Sequence, residues 1–237
     1  MNYMCSRSVP MSAPWEAELT RQEDAPGRVR AAEKKRRRRE ARLRLMVMST
    51  VQPTGALTLE EARAVQVSLQ EPVRPGLSDA ELDEVEERFG FRFAADHRTF
   101  LAAGVPIGDR WPDWRCGNPD QLRKRLDWPV DGVLYDVEHN AFWLPDWGMR
   151  PIDLSDALAV ARRQLAEVPR LVPVCGHRYL PAIAGSTGYP VLSVYQTDII
   201  VYGNDIRDYL AHEFGDEPVE SNTAPLREIP FWSQFLE

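Results

Sequence analysis

Three short runs of β-branched and aromatic residues in the last third of the chain do most to limit its possible folds. The runs cover 171–175, 191–195 and 199–202, are rich in Val, Ile and Tyr, and are punctuated by glycines. The segment Gln196-Thr197-Asp198 is short enough for a hairpin turn. The last two runs therefore predict adjacent antiparallel strands, and a small antiparallel sheet is expected here.

Helical signals precede this β-rich part. Two capping boxes, Thr58 with Glu61 and Ser78 with Glu81, predict that helices begin there, the first running to about residue 70. Gly90 is placed to end the second helix. The second helix carries three apolar side chains on one face: Leu82, Val85 and Phe89.

Further caps continue the helical pattern. Asp96 is expected to cap a brief helix that ends at Gly104. Asn118 followed by Pro119 predicts a helix over 119–127. Asp153 is expected to cap a longer helix with an apolar stripe, which consists of Leu154, Leu158, Ala161 and Leu165.

Two remaining segments complete the predicted fold. Val133, Tyr135 and Val137 alternate with other residues, which favours a half-buried strand. Asn204 is expected to cap a closing helix, and the apolar residues near the C-terminus are expected to dock on the body. Helices first and strands later predict an α+β class, a small central antiparallel sheet with helices packed on it.

Charge divides the chain into two unequal parts. Residues 1–50 carry 12 Lys/Arg against 6 Asp/Glu, whereas the remaining 187 residues carry 17 Lys/Arg against 30 Asp/Glu, a balance of −13. Prolines and few apolar residues make 1–50 typical of a disordered basic extension. We therefore expect the folded domain to cover 57–237.

The basic run at 28–44 has three interpretations. It is a solvated tail, or upstream sequence translated from an early start with Met46 or Met48 as the true start, or an arm that binds nucleic acid weakly. The first two are favoured, because the run has no apolar face that would hold a helix against the body.

Composition indicates a cytoplasmic protein without a membrane partner. No segment approaches the about 20 apolar residues that a membrane-spanning helix needs. Cys5, Cys116 and Cys175 are odd in number and widely separated, which is typical of reduced thiols rather than a disulfide framework.

The motifs of common enzymes are absent, so we expect no catalytic residue, no cofactor and no metal. The chain has no phosphate-binding glycine loop, dinucleotide fingerprint or His-Glu-x-x-His. An alternative is a small hydrolase-like or metal-dependent enzyme that uses Cys175, His177 and Asp198. The other cysteines and histidines lack the paired spacing of a zinc site, so this alternative is disfavoured.

Six residues are candidates for binding a partner. Five tryptophans fall within 37 residues, and a half-exposed tryptophan such as Trp111 or Trp114 commonly anchors an interface, although a core position is equally compatible. His177, Arg178 and Tyr179 form one short loop, either a binding site or a buried network that fixes the sheet. Asp198, beside the hairpin turn, completes the set.

Two stretches resemble the SUKH superfamily, a bacterial immunity-protein group that also contains a yeast cell-wall synthesis regulator. Residues 77–101 are similar to the opening helix, link and short helix of the family. LVPVCGHRYLP at 171–181 and PVLSVYQTDIIVYGN at 190–204 resemble a version common in high-GC Gram-positive bacteria, as do VEHNAFW at 137–143 and WGMRP at 147–151. The resemblance covers 77–214.

The resemblance implies helices on a central antiparallel sheet and a small, non-catalytic binding module. It further implies a role as an immunity protein that neutralises a polymorphic, nuclease-type toxin by direct contact. An acidic body suits such a partner, because nuclease toxins are typically cationic. The family carries no catalytic residues over to this chain.

Overall fold

The computed structural model describes residues 56–69, 71–214 and 225–236. The predicted basic extension at 1–50 lies outside these ranges. Within them the chain forms six α-helices and six strands, in two antiparallel sheets of two and four strands. The predicted α+β class is confirmed.

The helices begin and end largely where local signals place them. Ser78 caps its helix by accepting from the Glu81 amide at 3.3 Å, while Glu81 accepts from the Ser78 amide at 2.8 Å. Gly90 ends the same helix with φ of 69°, a left-handed conformation that glycine adopts without strain. The helices are α1 (Leu59–Ser68), α2 (Asp79–Phe89), α3 (Ala95–Ala103), α4 (Pro119–His139), α5 (Leu154–Leu165) and α6 (Ile206–Phe214).

The strands form a small ribbon and a larger sheet. The ribbon pairs β1 (Val73–Pro75) with β2 (Gly104–Pro106), and the larger sheet has the order β3-β4-β5-β6. Tyr195 pairs with Asp198 across a two-residue turn, so the predicted hairpin is confirmed. The larger sheet consists of β3 (Leu171–Cys175), β4 (Arg178–Pro181), β5 (Val191–Tyr195) and β6 (Asp198–Gly203).

Helices pack against both faces of the four-stranded sheet. Alternate strand residues belong to two separate cores, because successive side chains of a strand point to opposite faces. Val172 and Leu180 join the core formed with α1, α2, α3 and α6. Leu171 and Leu192 join the core formed with α4, α5 and the C-terminal segment. The sheet is thus the middle of three layers.

The prediction of a strand at 133–137 is wrong, because this segment is the second half of α4. The helix has 21 residues and continues through a buried Pro129, well beyond the predicted end at residue 127. Val133 and Val137 are one turn apart and fully buried against the sheet. Spacing of i and i+4 satisfies a helix as well as an alternating strand, and packing on the sheet decided between them.

Three smaller predictions are corrected. Arg178 and Tyr179 belong to β4 rather than to a loop. Asp96 lies inside α3, where its carboxylate accepts from the amides of Leu57 at 2.8 Å and Gly188 at 2.6 Å. The cap of α6 is Asp205 rather than Asn204, since the Asp205 carboxylate accepts from the Asp208 amide at 2.8 Å.

The apolar residues near the C-terminus dock on the body, as predicted. Ile229 and Trp232 are fully buried in the core on the α4–α5 side of the sheet. The Trp232 indole donates to the Pro169 carbonyl at 2.7 Å, which satisfies its only polar group. The stripe on α5 is confirmed at Ala161 and Leu165, whereas Leu154 is exposed.

Candidate interaction site

The two predicted tryptophan anchors lie in the core. Trp111 is buried and stacks on Phe100 and Phe214, with ring centroids 6.1 and 5.5 Å away. Trp114 is buried and contacts Phe89 and Phe93 edge to face. Buried rings offer no surface to a partner, so the expectation that these residues anchor one is corrected.

Arg178 and Tyr179 are buried on opposite faces of β4 and act within the sheet. The Arg178 guanidinium lies 3.5 Å from the centroid of the Tyr202 ring and donates to the Ser193 hydroxyl at 3.1 Å. The Tyr179 hydroxyl donates to the Arg125 carbonyl at 2.9 Å. These contacts support the alternative in which the two residues form a network that fixes the sheet.

His177 and Asp198 are the two predicted partner-binding residues that reach the surface. His177 lies in the turn between β3 and β4 and is partly exposed, while Asp198 begins β6 and is exposed. The Val194 amide donates to the His177 carbonyl at 3.0 Å. The structure therefore places both residues at the same end of the sheet, on neighbouring hairpins.

Cys175 lacks the environment that activates a thiol. It is buried and free, and burial raises its pKa to about 11. A nucleophilic or metal-binding cysteine must be a thiolate, so this shift opposes the hydrolase alternative. No three His, Cys, Asp or Glu residues of the described ranges are grouped to hold a metal ion.

An exposed apolar loop between α4 and α5 is the surface feature that the sequence did not single out. We call residues 140–153 the α4–α5 loop. Met149 is 95% exposed and Ile152 is fully exposed. Single exposed apolar residues are ordinary, but two such residues only three positions apart on one loop are less common, and we call Met149 and Ile152 the apolar pair.

Hydrogen bonds hold this loop in place from within and from α4. The Arg150 guanidinium donates to the Val137 carbonyl of α4 at 2.8 Å. The Trp143 indole donates to the Gly148 carbonyl at 2.7 Å, and Trp147 is buried against the core. Met149 thus lies between two fixed points, Gly148 and Arg150.

The loop also ends at a fixed point. The Asp153 carboxylate accepts from the amides of Ser155 at 2.8 Å and Asp156 at 3.2 Å, so it caps α5. Hydrogen bonds from the Ser155 hydroxyl and these amides lower the pKa of Asp153. Asp153 therefore stays ionised, and it follows Ile152 directly in the chain.

Four carboxylates lie near the apolar pair in the chain. Glu138, Asp146, Asp153 and Asp156 are all exposed. Arg150 is the single Lys or Arg of the α4–α5 loop, and its guanidinium turns inward to α4. These exposed carboxylates, which we call the rim of the α4–α5 loop, therefore give this stretch of the surface a negative charge.

A cleft of about 460 Å³ lies further along α4 and α5. Its floor is apolar and includes Trp232, and its rim carries two acidic and two basic residues. Arg170 is 3.7 Å from the Asp127 carboxylate. Burial and the neighbouring Asp127 raise the pKa of Asp131, while Arg162 opposes this shift. The rim has no excess charge with which to select an ion.

None of the described helices is both long enough and apolar enough to cross a bilayer. Comparison with protein-family models, with curated proteins and with solved structures gave no match. Membership of the SUKH superfamily accordingly stays a prediction that rests on the residues quoted above.

Proposed function

We propose that this protein is a non-catalytic binding module that neutralises a cationic, nuclease-type toxin by direct contact. The observation that carries the proposal is the acidic surface of the folded body. Residues 51–237 have a charge balance of −13, and many of the carboxylates responsible are exposed on both helical layers.

The first acidic surface is the outer side of α2. This helix contains one basic residue, Arg88, and six carboxylates, of which only Glu86 is buried. Arg98 pairs with Asp79 at 3.3 Å and Asp83 at 2.8 Å, which neutralises part of that charge. Glu84 and Glu87 are exposed and form no ion pair with a described residue.

The second acidic surface is the rim of the α4–α5 loop, in the layer on the other side of the sheet. Negative charge in both layers gives the whole body a negative long-range field. Such a field accelerates the encounter with a basic protein and slows the encounter with an acidic one. It opposes binding of the described body to nucleic acid, whose phosphates are also negative.

The polar residues near the sheet end support a binding role over a hydrolytic one. The buried Cys175 has a raised pKa, and the buried Arg178 is engaged by Ser193 and Tyr202. Neither group is placed to act on a substrate. The resemblance to immunity proteins supports the same conclusion independently of these contacts.

The test begins with the neighbouring open reading frames, which identify the candidate toxin. The full chain is then coexpressed with the nuclease domain of that toxin, and survival of the cells is measured. Affinity is measured by calorimetry, and the association rate by rapid mixing, each at low and at physiological salt. We expect protection, and we expect association to slow as salt rises.

A double charge-reversal variant separates long-range electrostatic attraction, which speeds association, from a specific contact, which slows dissociation. E84K/E87K removes two unpaired carboxylates from α2, and we expect slower association at low salt with little change in dissociation. The control E167K reverses one exposed carboxylate beyond the end of α5 and should slow association less, because it changes the net charge by half as much. Absence of a toxin gene beside this one, or a cell that dies despite coexpression, would refute the proposal.

A further inference from the structure

We infer that the α4–α5 loop is the contact surface, with Met149 and Ile152 inserting into an apolar depression whose rim is basic. The inference rests on the proposed function, because it names the surface through which a cationic partner protein is held. It adds a location and a contact chemistry that the overall charge does not supply.

Exposure is the first reason for choosing this loop. Met149 and Ile152 are almost completely exposed, so nearly all of their apolar surface would leave water on binding. Interfaces concentrate their binding energy in a few buried apolar anchors near the centre. Methionine is common in such anchors, because its unbranched side chain adapts to an irregular pocket.

Preorganisation is the second reason. The Arg150 guanidinium fixes the loop to α4, and the Asp153 cap fixes its end to α5. Binding through a loop that is already ordered loses little conformational entropy. Val67 is also exposed, at 85%, but it lies on α1 and not on an ordered loop with a second exposed apolar residue.

Charge decides between a basic partner and a second copy of this chain. A symmetric dimer through the loop would bring the Asp146, Asp153 and Asp156 carboxylates of two copies together. Like charges at close range in an interface are repulsive. A partner with lysine or arginine around its apolar depression pairs with the same carboxylates instead.

The variant M149S/I152S removes the apolar anchors and leaves the charges in place. With the nuclease domain identified above, we expect its Kd to rise about 100-fold, since burying one such side chain contributes about tenfold or more. The matched control is V67S, which exchanges an equally exposed apolar residue on α1 and should bind like the wild type. Thermal unfolding should be unchanged in both variants.

The rim is tested by D146N/D156N. We expect slower association at low salt and wild-type association at high salt, because exposed charges are screened. Light scattering of the wild-type chain checks for self-association, and a dimer that M149S/I152S dissolves would overturn the inference.

The two proposals fail in different ways. Wild-type affinity in M149S/I152S, with full protection of the cell, would overturn the loop as the contact surface and leave the proposed function intact. A wild-type chain that binds no toxin would overturn the proposed function itself.

Discussion

Replacing the buried His97 should remove much of the acid sensitivity of the fold. His97 lies on α3, is 1% exposed and contacts the Phe93 ring edge to face at 5.0 Å. Its Nδ1 atom has no hydrogen-bond partner among the described residues. Burial lowers its pKa from 6.5 to about 3, so the ring stays neutral in the folded protein at ordinary pH.

The size of the effect follows from these two pKa values. The unfolded chain binds a proton at His97 below about pH 6.5, whereas the folded chain does so only below about pH 3. The neutral histidine is fully compatible with the fold above pH 6.5, and stability is lost as pH falls through this window. Full protonation of the unfolded chain at this site lowers the free energy of unfolding by about 5 kcal/mol. The part lost between pH 7 and pH 5 is about 2 kcal/mol.

The assay is urea unfolding of wild type and His97→Leu at pH 7 and at pH 5. Leucine is apolar, has a similar volume and does not titrate. We expect the free energy of unfolding of the wild type to fall by about 2 kcal/mol more than that of the variant. Burial raises the pKa of Asp131 and Asp208, and these residues contribute pH dependence of the opposite sign. Both proteins contain them, so their contribution cancels when the variant is compared with the wild type.

The exposed His139 provides the control. His139 stacks on Tyr135 at the surface, so His139→Gln removes a histidine without emptying a buried site. Equal pH dependence in wild type and His97→Leu would refute the reasoning. The conservative His97→Gln serves as a second variant should leucine disturb the packing.

Three further changes test the packing and the thiol. Asp136→Ala should cost about 2–4 kcal/mol of unfolding free energy by urea denaturation, because its buried carboxylate accepts from the amide and the hydroxyl of Thr197; a loss below 1 kcal/mol would contradict this role. Trp232→Ala should cost about 3–5 kcal/mol, since it empties a fully buried site and frees the Pro169 carbonyl; an unchanged melting temperature would show that the segment is not docked. Cys175 should resist iodoacetamide at pH 8 and react after unfolding, as its pKa is raised to about 11; rapid native alkylation would revive the enzyme alternative.

Local signals were sufficient for the features that short-range contacts determine. The capping boxes at Thr58 and Ser78 form as predicted, because each joins groups only three residues apart. The β5–β6 hairpin also formed as predicted, since its two-residue turn fixes the pairing. Neither feature depends on the rest of the chain.

The second half of α4 shows where local signals fail. The i and i+4 spacing of Val133 and Val137 fits a helix as well as a strand, and Pro129 favours an end to the helix before them. In the structure Val133 and Val137 pack on the sheet while Tyr135 faces outward. Burial of one helical face outweighed the hydrogen bond that Pro129 cannot make.

The sequence by itself determined an acidic α+β body, its two capping boxes and its hairpin, because charge, turns and periodicity are properties of neighbouring residues. Only the tertiary structure decided which apolar side chains remain in water. Trp111 was equally compatible with a surface anchor and with the core, and it is buried among Phe100 and Phe214, whereas Met149 and Ile152 stay exposed. Exposure depends on which distant elements cover a residue, and no local pattern records that.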